Sequence, residues 1–570
     1  MLGSAARRAV VPFIFVLCAT AYVLAQRAGD PQTRIANVTP VTTAMLEAPA
    51  PSDWLHWRRT IDSWGYSPLD QINTRNASQL ELVWSRTGKG PGRTGAPLVH
   101  DGVMFIPLPR NVVQAVDAAT GDLLWEYEKT FEVAPDPGFR SNARSLAIYG
   151  DKVFAATADA HLVALNARTG RVEWDRVVAD RTLGYGYTSG PVVIKGKVIA
   201  GMTGCERYKD DVCFISAHDP ETGRELWRTN TVTRPGEPGG NTWGDLPLRL
   251  RAGGDAWIPG SYDPKTNLIY WSTAQPKPWA RVSRGTDGAA LYTSSTLALD
   301  PDTGRIVWYH QFIPGESHDF DEVYESLLID HDGRQSLFKI GKLGILWEID
   351  RTSGKFVSAH DLGYQTVAEV NRETGQVIYR RGVVPTLDVP LEYCPGTGGI
   401  RNSAITAYHP GTQAIYIPIH PTCGRFVYQR VKQDNLPPAP YYSDPAYVGR
   451  KILATTPHPL SPDTPGYLVA MDIRTGKILW RQSLRTRPSH SVLTTGGGLV
   501  TSADGEQFYL DEAATGRVVF ETRLPGLVSG VPITYAAAGR QYVAVPVGSA
   551  AGSTAMFVFA LPKAAATRSP

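Results

Sequence analysis

Asp319 and Asp321 stand two residues apart in the stretch Glu316-Ser317-His318-Asp319-Phe320-Asp321, which reads as a loop. Alternate residues of a loop can aim both carboxylates at one cation, or one at a cation and the other at a substrate proton. The pair is therefore a candidate for metal binding, for general-base work, or for both. A second stretch runs from Thr188-Ser189-Gly190-Pro191 to Thr203-Gly204-Cys205-Glu206 and leads small hydroxyls and glycines into a carboxylate. On its own, Glu206 would read as an ordinary surface glutamate.

The elements that must position these groups are visible immediately upstream. In Ala298-Leu299-Asp300-Pro301-Asp302-Thr303-Gly304, an alternating strand runs into a turn. There Asp and Thr can bond their own backbone, and Gly takes positive φ. Trp308 then starts a new strand with a ring that must be buried. The unit recurs as AVDAATGDLLW from Ala115, ALNARTGRVEW from Ala164, AHDPETGRELW from Ala217, ALDPDTGRIVW from Ala298 and AMDIRTGKILW from Ala470. Weaker copies begin at Ser261, Glu348, Ala407 and Leu510. The turn positions 117, 166, 219, 300, 350, 409 and 472 are spaced by about one four-stranded propeller blade, or more where loops intervene.

No stretch sustains a 3.6-residue apolar period, while short Val/Ile/Tyr/Phe strands bounded by turn residues occur throughout. Each unit has faces it cannot bury alone, so neighbours must stack and the ring must close. The expectation is an all-β, eight-bladed β-propeller with tryptophan-docking repeats. The N-terminal segment near Trp54 to Trp84 should share a blade with strands after Gly530. Trp125, Trp174, Trp227, Trp308 and Trp480 are assigned to inter-blade packing and to no catalytic role.

Composition agrees with short strands and many turns: 55 glycines, 43 prolines and only 19% charged residues in 570. Net charge is +3, with no Lys/Arg run of the kind a nucleic-acid patch needs, so nucleic acid is excluded as a partner. Arg7-Arg8 precede an apolar run from Ala9 to Ala25 that ends in small residues. Residues 1–25 are read as a cleaved secretory signal, the alternative being a retained anchor. Residues 26–50, polar and without periodicity, are read as a linker, and 51–563 as one propeller domain. Of the five cysteines, Cys18 falls in the signal. Sequence proximity favours pairing Cys205 with Cys213 and Cys394 with Cys423 in an oxidising compartment. The chain contains no CxxCH, so it is expected to carry no c-type haem of its own.

The AxDxxTGxxxW repeats, the exported chain and the loops above resemble the pyrroloquinoline quinone (PQQ) dependent alcohol dehydrogenases, the quinoproteins that include methanol and ethanol dehydrogenases. The resemblance covers essentially the whole mature chain. It implies that Thr188 and Thr203 contact PQQ and that Glu206 binds metal. The segment from Gly253 to Trp279 resembles the part of the family that supplies a planar floor, here Trp257, and another metal ligand, here Gln275. Many methanol-oxidising members have Asn at that ligand position, so an extra methylene must be absorbed. Asp319 matches the catalytic aspartate, also a metal ligand, and Asp321 matches an added aspartate associated with lanthanide use. Lys342 lies where many members have Arg, as a cation near the quinone oxygens. Arg144 matches a cofactor-carboxylate arginine, and Asn402 a polar group at the cofactor's edge.

Two departures bear on substrate. The vicinal cysteine pair that covers the quinone in methanol dehydrogenases is missing, with Gly138-Phe139 near its place, and Ser489 stands where a late-chain tryptophan is lost. Methanol is therefore not carried over. The expected function is periplasmic oxidation of a small, primary alcohol to the aldehyde by PQQ with Ca2+ or a lanthanide(III) ion. Electrons would pass to a separate soluble or membrane-bound cytochrome c, and a homodimer remains open. The alternatives are a non-enzymatic propeller scaffold for envelope assembly and a quinoprotein sugar or polyol dehydrogenase.

Overall fold

In the repeat at Asp300, the carboxylate Oδ1 accepts the backbone N–H groups of Asp302 (3.0 Å) and Thr303 (2.9 Å) and the Thr303 hydroxyl (2.9 Å). Gly304 follows at φ +72°. This turn joins Ser295–Leu299 to Ile306–Gln311, the last two strands of a four-stranded antiparallel sheet. The computed structural model describes residues 31–131, 144–431, 449–548 and 552–563. The expected signal segment and Gly138-Phe139 lie outside these residues.

Each repeat tryptophan reaches across to the turn of the next sheet. Trp227 donates its Nε1–H to the Pro301 carbonyl at 3.1 Å, and Trp84, Trp125, Trp174 and Trp480 do the same to Ala118, Ala167, Pro220 and Ala513. The ring covers the turn glycine: a Cβ on Gly304 would fall 2.5 Å from the Trp227 ring, and one on Gly354 would fall 2.6 Å from Trp308. The glycine is thus required twice, for its positive φ and for the ring. Burying each indole removes roughly 150–250 Å² from water, roughly 4–6 kcal/mol of transfer free energy before entropy is charged against it.

Among the described residues the repeats build seven four-stranded sheets and one five-stranded sheet, the eight expected blades. The ring closes through Glu81–Pro91, which pairs antiparallel with Ser553–Ala560 in one sheet with Ile533–Ala537 and Arg540–Val547. N- and C-terminal strands therefore share a blade. Cys205 is bonded to Cys213, and Cys394 to Cys423. No helix of the described residues is long and apolar enough to cross a membrane.

The linker reading needs correction over its described part. Pro31–Ala36 and Thr43–Glu47 are short helices, and Ile35, Val38, Val41 and Leu46 are buried against the blades. Val41 exchanges two 2.8 Å backbone hydrogen bonds with Gly150, and Arg34 pairs with the buried Asp117 at 2.9 Å. Helices of five or six residues span less than two turns, too few for a period to emerge from sequence.

Two additions to the ring serve the site. A ribbon pairs Ala252–Gly253 with Pro276–Lys277, and a three-stranded sheet combines Leu391–Tyr393, Thr422–Tyr428 and Arg450–Pro457.

Candidate active site

Gln275 is the hub on which the candidate residues converge. Its side-chain Nε2 donates to Asp319 Oδ1 at 3.0 Å and lies 3.4 Å from Glu206 Oε1, and its backbone N–H donates to Asp321 Oδ1 at 3.1 Å. Three separate loops meet there. Glu206 lies in the connection between Lys197–Gly201 and Phe214–His218, which the Cys205–Cys213 bond ties together. Gln275 directly precedes the ribbon strand Pro276–Lys277. Asp319 and Asp321 lie between the strands Ile306–Gln311 and Leu327–His331.

Asp319 holds a left-handed backbone, φ +77°, which costs a non-glycine residue roughly 1–2 kcal/mol. Its neighbours fix it there. Phe320 and His318 are fully buried, the His318 ring bonds the Val383 carbonyl at 2.8 Å, and the Tyr393 hydroxyl donates to the His318 carbonyl at 3.3 Å. Lys342, in the turn between Arg334–Ile340 and Ile345–Asp350, donates its backbone N–H to the Asp321 carbonyl at 3.1 Å. Its Nζ is 2.7 Å from Asp321 Oδ2, 3.1 Å from the Asp319 carbonyl and 3.4 Å from Asp319 Oδ1.

Two cations that sequence reasoning missed complete the cluster. Arg450 Nη2 is 3.2 Å from Asp319 Oδ2, and Lys277 Nζ is 2.9 Å from Glu206 Oε1. Lys277 sits inside the segment Gly253 to Trp279 that carries the resemblance, two residues after Gln275. Arg450 is more than a hundred residues from Asp319 and carried no motif. Burial pushes the Asp319 carboxyl up, but Lys342, Arg450 and Lys277 outweigh it and hold the group at about 2. Asp321 is raised by burial, which its pairing with Lys342 only partly offsets. Lys342 is held above its ordinary value by Asp319 and Asp321 in spite of its burial. Asp255, also missed, accepts the Cys205 N–H at 3.1 Å and is raised to about 7 by burial and by Glu206.

The expected cofactor contacts are placed less uniformly. Trp257 is half-buried, edge-on to Tyr324 at 5.4 Å, with the Arg144 guanidinium 4.6 Å from its ring centroid. Trp257 is joined to the segment leading into Thr203 through its neighbour, since the Ala256 N–H donates to Met202 O at 3.0 Å. Thr203 is buried and spends its hydroxyl on the Gly186 carbonyl at 2.5 Å. Asn402 is half-buried and donates to Gly398 O at 3.4 Å, next to Gly399, which packs on Lys342. Thr188 is half-buried, and Ser489 donates to Val528 O at 2.6 Å.

The donors suit a hard cation beside a flat ring. Glu206, Gln275, Asp319 and Asp321 offer only oxygen ligands, the type that calcium and other hard cations take. The Gln275 Oε1 atom is buried and has no hydrogen-bond partner, a cost that a ligand would remove. Rotating the amide would turn this oxygen toward Glu206 and Asp319, where only a cation could make three oxygens compatible. Trp257 supplies a flat, half-exposed surface within the same group of loops.

Residues 54–361 match the family profile described as "Glucose/ethanol/alcohol dehydrogenase, beta-propeller domain". Residues 465–550 match a second, described as "Outer membrane protein assembly factor BamB". The chain is 34% identical over 529 residues to quinohemoprotein alcohol dehydrogenase ADH IIB of Pseudomonas putida, covering 88% of this chain and 74% of that protein. It is also 34% identical over 520 residues to quinoprotein alcohol dehydrogenase PedH of Pseudomonas putida, covering 85% and 84%. Among solved structures, quinohemoprotein alcohol dehydrogenase from Comamonas testosteroni superposes with a TM-score of 0.84 at 28% identity, covering 96% of this chain and 86% of that one. A europium-containing methanol dehydrogenase superposes at 0.82 with 25% identity, covering 91% and 100%. Sequence, fold and the carboxylate cluster agree: the chain belongs to the PQQ-dependent quinoprotein alcohol dehydrogenase family.

Proposed function

We propose that this quinoprotein oxidises a small primary alcohol to its aldehyde in the periplasm, with PQQ and a Ca2+ or lanthanide(III) ion, and passes the electrons to a separate cytochrome c. The observation that carries the reading is the meeting of Glu206, Asp319 and Asp321 on Gln275, with Lys342 bridging the two aspartates. When bound, PQQ and its metal supply a Lewis-acid-activated two-electron acceptor. Glu206, Gln275, Asp319 and Asp321 would hold the metal, and Trp257, Arg144, Thr188, Thr203 and Asn402 would line the quinone.

Asp319 is the proton acceptor in this reading. Its carboxylate stays ionised through the neutral range because Lys342, Arg450 and Lys277 outweigh its burial. It is also held in place, since Lys342 and Arg450 each bond it. The alcohol proton passes to an Asp319 oxygen as the carbinol C–H bond breaks, and a fixed acceptor removes the entropy cost of bringing a base to the substrate. Lys342, kept charged by Asp319 and Asp321, would supply the positive charge that stabilises a bound quinone as it is reduced.

The match of residues 465–550 to an assembly-factor profile favours a scaffold as the second reading. A scaffold has no use for buried carboxylates gathered on one amide, and Trp packing alone explains the shared repeat. The test is direct: protein mixed with PQQ and either calcium or a light lanthanide should gain quinone absorbance and reduce an acceptor dye when a primary alcohol is added. Absence of bound quinone with both ions would return the chain to the scaffold reading.

A further inference from the structure

Lys277 is 1% exposed, yet its ammonium group is held against Glu206, one of the carboxylates gathered on Gln275. The backbone of the Ala252–Gly253/Pro276–Lys277 ribbon fixes its origin, with Lys277 registered opposite Ala252. The indole of Trp279 fixes its tip: Nζ lies 3.6 Å from the ring centroid. On the same ring rests Arg450, with its guanidinium carbon 3.5 Å from the centroid. Each cation then meets a different carboxylate, Lys277 with Glu206 at 2.9 Å and Arg450 with Asp319 at 3.2 Å. Glu206, Lys277, Trp279, Arg450 and Asp319 form one continuous arc around Gln275. A cation stacked on an indole in a desolvated setting is held strongly, so Lys277 cannot swing into solvent when the carboxylates take another partner.

This arrangement sets a charge balance that the carboxylates alone misstate. Glu206, Asp319 and Asp321 offer three negative charges, which by themselves favour a trivalent ion over a divalent one. A fixed ammonium on the Glu206 oxygen repels any ion bound to that oxygen, and repels three charges more than two.

We propose that Lys277 is a metal-selectivity determinant, a built-in counter-charge that offsets Asp321 and draws the site back from trivalent toward divalent ions. The inference rests on the reading of Glu206 as a metal ligand. A metal bound to Glu206 at the usual ~2.4 Å would lie within roughly 5 Å of Lys277. At that separation one extra unit of metal charge, at an effective dielectric of about 20 to 40, corresponds to a change in relative affinity on the order of tenfold or more.

The experiment is metal binding rather than turnover. The full chain with PQQ would be titrated with terbium, read by its luminescence, and with calcium, read by calorimetry. Wild type would be compared with Lys277→Met, Lys277→Gln and Lys277→Arg, and thermal melting would identify any variant that fails to fold. The ratio of calcium Kd to terbium Kd should rise at least about tenfold in the Met and Gln variants and stay near wild type in Arg, which keeps the charge. An unchanged ratio in a folded Met or Gln variant overturns the proposal, as does an Arg variant that shifts the ratio as far as they do. Wild-type protein that binds neither ion removes the metal reading of Glu206 itself, and the two failures are thereby told apart.

Discussion

Lys342 places one ammonium between two carboxylates, 2.7 Å from Asp321 Oδ2 and 3.4 Å from Asp319 Oδ1, while its backbone is tied to Asp321 on one side and Ile400 on the other. The lysine therefore shares one rigid turn with the loop it neutralises. Lys342→Met should leave folding intact and lower turnover of the PQQ-loaded protein by ~10²-fold, the scale expected for loss of one charged stabilising donor. Lys342→Arg should keep most of the rate, because the positive charge remains. Steady-state rates at saturating alcohol check both.

Gly304→Ala tests the link between turn and tryptophan. The new methyl would meet a +72° backbone and the Trp227 ring at 2.5 Å together. The expected loss is roughly 1–3 kcal/mol, read as a lower denaturation midpoint. Gly333→Ala is the control: it has φ +75° with nothing within 4 Å of the added carbon, so it should cost only the backbone part.

Deleting the chain after Leu527 removes Ile533–Ala537, Arg540–Val547 and Ser553–Ala560 and leaves Glu81–Pro91 without its partner. An unpaired eleven-residue strand at an opened ring is an edge prone to aggregation. The truncated protein should be insoluble at concentrations where the full chain is not. Soluble, cooperatively melting material would show that closure is dispensable.

The fold was legible because its repeat is a chemical unit: Asp and Thr to close the turn, Gly for both backbone and ring, Trp to dock. The Asp, Thr and Gly act within one turn, where sequence carries structural information without tertiary help. The Trp docks on the turn of the next blade, 74 residues on for Trp227 and Pro301, and was legible because the unit repeats. The resemblance named Glu206, Gln275, Asp319 and Asp321 as candidates, and the structure brings these four together. Arg450 was not, because its meeting with Asp319 depends on a separate three-stranded sheet that no local pattern announces. The packing of residues 31–50 was missed for a related reason, since Ile35, Val38, Val41 and Leu46 are buried by partners far along the chain.

Asp511 should make stability depend on pH. It is fully buried, its Oδ2 has no hydrogen-bond partner, and burial pushes its carboxyl up to about 7 from 3.8. Between these values the folded protein keeps a proton that the unfolded chain releases, so this group's contribution to stability falls as pH rises from about 4 to about 7 and is flat above. Asp511→Asn keeps the shape and abolishes the ionisation. Its melting temperature should exceed that of wild type by more at pH 8 than at pH 5; an equal offset at both would mean that Asp511 does not titrate there.

Asp321 and Asp319 should separate by the ion supplied. Asp321 contributes one charge to the proposed metal cage, and Asp321→Ala should weaken a trivalent ion far more than calcium. Lanthanide-supported activity should then collapse while calcium-supported activity survives better. Asp319→Asn is the matching variant, because Asn tolerates the +77° backbone and removes the proton acceptor with little change of shape. It should reduce turnover with either ion by ~10²-fold or more. Measuring rates and metal affinities for both variants with calcium and with a light lanthanide decides the matter. Asp321→Ala protein whose lanthanide affinity and activity match wild type would show that Asp321 is held by Lys342 and Gln275 for structure alone.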